Sequence, residues 1–147
     1  MRYIFLQSFS VDKKEESVQG EVEVTKDWEV FRDHFPGYPI LPGALILEIM
    51  AQHTVALMLE LKQDKKAVIP TLIQVDRAKF IEPVIPDCTL KVECKKSAMV
   101  YPNFKFECEA FVNERKVAAV RITMAFKEMA GAPGLDFMGF FLKGAMG

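Results

Sequence analysis

Residues 44–61, ALILEIMAQHTVALMLEL, constrain this chain more than any other stretch, because they are apolar around almost the whole helical circumference. A surface helix carries an apolar stripe. A helix with Leu45, Ile46, Leu47, Ile49, Met50, Val55, Ala56, Leu57, Met58 and Leu59 on nearly every side has to be buried on every side. At 147 residues the chain is long enough for one core and too short for two, so its other segments must wrap this helix.

Those segments read as strands. Residues 3–11 suggest the first, and Val18, Gly20, Val22 and Val24 alternate with polar neighbours in the second, with 13–16 as the exposed turn between them. Residues 27–32, DWEVFR, fit one or two helical turns in which Trp28 and Phe31 plug the core. Four further strands are predicted over 68–80, 89–99, 104–113 and 116–127. Leu90, Val92 and Cys94 face one way while Lys91, Glu93 and Lys95 face the other; Phe104, Phe106, Cys108, Ala110 and Val112 repeat the alternation. The stretch from Val112 to Lys116 makes a hairpin connection. The pattern predicts an α+β protein, a long central helix wrapped by a curved antiparallel sheet of about six strands. The apolar surface and open sheet edge left over call for a second copy, hence an obligate homodimer. The domain is expected over 1–129. Residues 130–147, with five glycines and three phenylalanines, read as a tail or as an apolar flap over a groove.

Composition removes several classes of function. A net charge of −1 gives no broad basic field, which argues against a nucleic-acid partner. The three cysteines, Cys88, Cys94 and Cys108, are odd in number and form no C-x-x-C, so they read as reduced thiols of a cytoplasmic protein rather than a disulfide frame or metal site. The N-terminal run is too short and too soon interrupted for a signal peptide, and no stretch reaches the roughly 20 apolar residues of a membrane span.

The chemistry concentrates in residues 34–52, HFPGYPILPGALILEIMAQ. Pro42 suits an early helical position, where its missing N–H costs nothing. Glu48 is the one carboxylate in an apolar run, and burying it is costly unless it is paired or protonated. It has a structural reading, bonded to Gln52 one turn later, and a functional one. His34 favours the second. Pro36, Pro39 and Pro42 stiffen the segment between histidine and carboxylate, Gly37 and Gly43 permit special backbone geometry, and Gly43 lies near a helix N-terminus with unpaired N–H groups. A base, an acid and an oxyanion donor within fifteen residues make a site. His53, on another helix face, is expected to be structural.

This stretch resembles the signature of the FabZ-type (3R)-hydroxyacyl-[acyl carrier protein] dehydratases, which have the hotdog fold. The His-to-Glu spacing of fourteen, both Pro-Gly pairs and the closing Ala51-Gln52 match in register. Asp76-Arg77-Ala78-Lys79-Phe80 and Pro83-Val84-Ile85-Pro86 resemble the second motif of these enzymes, so the similarity runs from about 17 to 127. The resemblance implies dehydration of a (3R)-hydroxyacyl thioester to the trans-2-enoyl product without metal or other cofactor. His34 is the implied base and Glu48 the implied carboxylate, donating a proton to the 3-hydroxyl or orienting a water, from opposite subunits of one dimeric site, with the Gly43 N–H polarising the thioester carbonyl. It also implies substrate contacts at Phe35, Pro36, Gly37, Pro42 and Gln52. Acyl carrier protein is the implied partner, with Arg77 and Lys79 as candidate contacts; dimers alone or a trimer of dimers both remain open.

The chain departs from the pattern at Asp33, where glycine is usual, at Glu82, where a basic residue is common, and at Pro86-Asp87-Cys88 in place of P-G-D. A divergent relative in a secondary-metabolite or specialised lipid pathway fits these changes. Two alternatives share the fold: an acyl thioesterase, which has no need of His34, and a non-catalytic acyl-binding protein.

Overall fold

The computed structural model describes residues 3–62 and 68–128. The tail expected over 130–147 lies outside them. The order of elements is β1 (Ser8–Asp12), β2 (Ser17–Val24), a 3₁₀ turn (Glu29–Arg32), α1 (Gly43–Glu60), β3 (Val68–Phe80), β4 (Cys88–Val100), β5 (Asn103–Val112) and β6 (Arg115–Glu128). All six strands form one antiparallel sheet in the order β1-β2-β4-β5-β6-β3.

The alternation foreseen in β2, β4 and β5 decides which face meets the helix. Val18, Val22 and Val24 of β2, Leu90, Val92 and Cys94 of β4, and Phe104, Phe106, Cys108 and Ala110 of β5 all point inward and are buried. Against them lies α1, in which ten consecutive residues from Ile49 to Met58 are buried, whichever way they point. Ten successive helical positions go round the circle nearly three times, so this stretch is enclosed on all sides, by the curved sheet together with the segments packed beside it. By length and composition α1 would also cross a membrane; here it is the core helix of the sheet. Trp28 and Phe31 extend the core, their rings 6.2 Å apart, with Trp28 tilted against Phe5 at 5.5 Å.

Two expectations need correction. Residues 3–7 are not part of the first strand, which begins at Ser8. Their backbone is engaged elsewhere: the Gln52 side chain bonds both the carbonyl of Tyr3 and the N–H of Phe5. Enclosure of α1 is also incomplete. Its first turns emerge from the sheet, leaving Ala44 and Glu48 exposed and Leu45 and Leu47 half-buried, so Glu48 is not buried within one chain.

Strands β1 and β3 are the two edges of the sheet, and β3 is the longer one. Among the described residues β3 pairs only with β6, and two register shifts, between Leu72 and Gln74 and between Val75 and Arg77, bend it. Leu72, Ile73, Val75 and Phe80 are exposed along it, with Ile81 and Ile85 beyond. An apolar strand with unpaired backbone groups beside an exposed helix turn is a surface that a second polypeptide would cover.

Candidate active site

The loop before α1 is shaped by its prolines and glycines. Phe35-Pro36-Gly37-Tyr38 form a turn closed by two bonds: Tyr38 N–H donates to the Phe35 carbonyl at 2.9 Å, and Phe35 N–H to the Tyr38 carbonyl at 3.0 Å. Gly37 has φ +76°, so Pro36 and Gly37 occupy the central positions of a type II turn, where proline is favoured and glycine nearly required. This turn brings Ile40 back to His34. The Ile40 N–H donates to the His34 carbonyl at 3.0 Å, and His34 Nδ1 lies 2.8 Å from the Ile40 carbonyl. A carbonyl can only accept, so Nδ1 carries a proton, and in the neutral ring it is Nε2 that presents the lone pair. The Phe35 ring stacks on the imidazole at 4.2 Å and fixes its plane.

The departure at Asp33 leaves this arrangement intact. Asp33 is exposed, and among the described residues no hydrogen bond or ion pair joins it to His34. Glu82 is answered locally: its carboxylate lies 3.6 Å from Nη2 of Arg115, the first residue of β6.

The helix start completes the second part. The N–H groups of Leu45 and Ile46 bond to the Pro42 carbonyl, and no side chain caps the helix. Among the described residues no acceptor takes the Gly43 N–H. Pro42 is the N-cap rather than a residue of the first turn. A Cβ at Gly43 would meet the Phe80 ring at 3.2 Å, so glycine lets that ring lie directly against the helix start. Leu41 N–H to Val84 carbonyl, 2.8 Å, ties the loop to the segment after β3.

Glu48 lies one turn further along. Gln52 Nε2 donates to Glu48 Oε1 at 3.0 Å, the contact expected from their spacing. Gln52 itself is buried, with its oxygen on Phe5 N–H and its nitrogen on the Tyr3 carbonyl as well. Its polar atoms are thus engaged within the protein rather than turned to an open site. Among the described residues no hydrogen bond joins His34 to Glu48 of the same chain; each is held by its own partner. Phe35, Pro36 and Gly37 are exposed beside His34, and Pro42 is half-buried.

Arg77 and Lys79 alternate with the inward-facing Ala78 and Phe80 and so stand on the sheet's outer face, away from α1. With Lys116 and Arg121 they line a groove of about 450 Å³. Lys116 pairs with Glu109 and Arg121 with Glu107. No three metal-ligating side chains cluster among the described residues, and the three cysteines are free thiols. His53 is fully buried, with Nδ1 on the Ile49 carbonyl at 2.8 Å; loss of solvation pushes its pKa below the ordinary value of 6.5, partly opposed by that bond.

Three groups that matter here could not be read from residue types: the Ile40 carbonyl, the backbone of Tyr3 and Phe5, and the Phe80 ring over Gly43. The first two are main-chain atoms, which every residue carries. Only the turn signal between His34 and Ile40 pointed towards one of them.

Comparison with known proteins narrows the class. The family model of the ApeI-like dehydratases (ApeI dehydratase) matches residues 10–121. A 3-hydroxyacyl-[acyl-carrier-protein] dehydratase FabZ of Fusobacterium nucleatum is 33% identical over 131 residues, covering 87% of this chain and 91% of that protein. A bifunctional enzyme LpxC/FabZ of Chlorobaculum tepidum is 33% identical over 120 residues, 82% of this chain; the chain spans only 25% of that longer enzyme. Among solved structures, the dehydratase heterocomplex ApeI:P from Xenorhabdus doucetiae has a TM-score of 0.66 at 18% identity, covering 85% of this chain and 83% of that one, a likeness of fold. Helix, sheet and relatives together define a hotdog-fold enzyme of the dehydratase class. The chain belongs to the ApeI-like dehydratase family, and with the FabZ enzymes as relatives the dehydratase reading stands over the thioesterase one.

Proposed function

We propose that the protein eliminates water from a (3R)-hydroxyacyl thioester, carried on acyl carrier protein, to give the trans-2-enoyl thioester. The observation that carries this reading is the bond from His34 Nδ1–H to the Ile40 carbonyl, which leaves the other nitrogen as a fixed base in the loop that leads into an uncapped helix. His34 Nε2 takes the proton from C2. The electron pair moves towards the thioester carbonyl, whose oxygen gains charge next to the Gly43 N–H and the positive end of α1. Glu48 hands a proton to the 3-hydroxyl, the C3–O bond breaks, and water leaves as the C2=C3 bond forms. The proton on His34 then returns through solvent to Glu48. No electron is gained or lost overall, so the reaction draws on no redox cofactor.

His34 and Glu48 of one chain are held by different partners, Ile40 and Gln52, with no hydrogen bond between them among the described residues, which is consistent with a site shared between two copies. The exposed edge of β3 and the first turns of α1 supply the surface for that homodimer, itself free to assemble into a trimer of dimers. Phe35, Pro36, Gly37 and Pro42 would then border the acyl chain. Arg77 and Lys79, cations with no ion pair among the described residues, offer attraction to an acidic carrier protein. The free thiols support a cytoplasmic setting.

Incubation with a 3-hydroxyacyl thioester tests the reading. Enoyl absorbance should rise without release of free thiol; thiol release would make it a thioesterase, and neither signal would make it a binding protein. Running the assay with carrier-protein and coenzyme A thioesters identifies the donor.

A further inference from the structure

Between the core and the catalytic helix, residues 3–5 make a contact that the elimination chemistry alone does not require. The Phe5 N–H donates to Gln52 Oε1 at 2.7 Å, and Gln52 Nε2 donates to the Tyr3 carbonyl at 2.6 Å. Both partners are main-chain groups with fixed roles, a donor and an acceptor, so they settle which way round the amide sits. Rotating it by half a turn would set oxygen against oxygen at Tyr3 and N–H against N–H at Phe5. The one hydrogen of Nε2 left over then has to face Glu48, whose Oε1 accepts it at 3.0 Å. Phe5 anchors the clamp, being buried in the core against Trp28, and Gln7 anchors its far side by accepting the Glu23 N–H at 3.0 Å.

We infer that the N-terminal segment, residues 3–5, is a positioning element of the catalytic site, acting on Glu48 through the orientation it imposes on Gln52. This rests on the proposed role of Glu48 as proton donor. A carboxyl that accepts an N–H at Oε1 keeps its acidic proton on Oε2, where it is available to the substrate hydroxyl. With the amide reversed, the Gln52 oxygen would face Glu48 and take that proton itself. The backbone of Tyr3 and Phe5 thus distinguishes the two oxygens of a carboxyl 43 positions or more further along the chain.

Two variants test the inference. Gln52→Met preserves the side-chain size and removes the amide; deletion of residues 2–4, which joins Met1 to Phe5, removes the Tyr3 carbonyl and leaves α1 unaltered. With the folded fraction matched by circular dichroism, kcat for dehydration should fall roughly 10–100-fold in the first and several-fold in the second, with KM little changed in both. Wild-type kcat in either folded variant would overturn it. If Gln52→Met does not fold, the deletion decides. Hydrogen exchange of the Phe5 amide gives a readout independent of catalysis: it should be slow in the wild-type protein and fast in Gln52→Met, and equal rates would refute the clamp. If the wild-type protein dehydrates nothing, the reaction assignment fails, and the catalytic part of the inference with it, whatever the exchange rates show.

Discussion

Replacing Gly20 by alanine should damage this protein far more than one methyl group ordinarily does. Gly20 lies on the buried face of β2, opposite His53 of α1. A Cβ there would stand 2.7 Å from His53 Cδ2, closer still to Nε2, and 2.8 Å from the Ser8 carbonyl. The imidazole cannot swing aside without losing its 2.8 Å bond to the Ile49 carbonyl, and the Ser8 oxygen is backbone of β1, paired with β2. Overpacking a rigid core costs about 1–3 kcal/mol, and two unyielding obstacles put Gly20→Ala at the upper end. For a chain of this length that is a fall in Tm of roughly 5–10 °C. The same methyl should cost much less once the ring is gone, with only the Ser8 carbonyl left against it. In a His53→Ala background the penalty should shrink by about 2 kcal/mol, a coupling that a double-mutant cycle in urea measures directly. All four proteins must be compared at one concentration, since association contributes to apparent stability. A Gly20→Ala protein within about 0.5 kcal/mol of wild type, or a penalty unchanged by removing His53, would refute the reasoning.

Acid stability should also depend on His53. The unfolded chain takes up its proton near the ordinary value of 6.5 while the folded chain resists, so stability should be full above that pH and fall below it, by about 1.4 kcal/mol per unit; His53→Gln should flatten this slope in pH-dependent melts. His34→Ala and Glu48→Gln should each lower turnover by roughly 10²–10⁴-fold without unfolding the protein. Co-refolding the two should restore about a quarter of wild-type activity if the site is shared, because half of the dimers are mixed and one of their two sites is intact; no recovery in verified mixed dimers would place both groups on one chain. Sedimentation should find no folded monomer at micromolar concentration, and finding one would remove the case for β3 as an interface. In alkylation near neutral pH Cys94 should stay unmodified in the native protein, its thiol pushed well up by burial first and by its hydrogen bond with the Cys108 thiol second, whereas the half-exposed Cys88 should react slowly.

The sequence pattern located the elements well where a residue's own chemistry decides its place. The type II turn at Pro36-Gly37 follows from two residue types, and the all-round apolar run of α1 dictates a wrapped helix. It served less well where the partner is distant. Residues 3–7 have a strand-like composition, yet the Gln52 amide 47 positions away claims the Phe5 N–H, and no local pattern encodes that. The exposure of Glu48 was hidden for a related reason. Its neighbours on α1 are as apolar as those further along, and only the extent of the curved sheet determines which turns are covered. Glu82 looked like a loss of positive charge until the fold brought Arg115 beside it.

The strand order also bears on how the protein is made. Among the described residues strand β3 has β6 as its sole partner in the sheet, and β6 is completed only after 48 further residues, at Glu128. At about 5–20 residues per second, the nascent chain carries an apolar strand unpaired on both edges for roughly 2–10 s. Any chain terminated before Arg115 keeps it unpaired for good. Premature termination should therefore yield fragments that aggregate or are degraded rather than partly working enzyme, and reporter fusions at the C-terminus should give signal only from chains whose sheet can close.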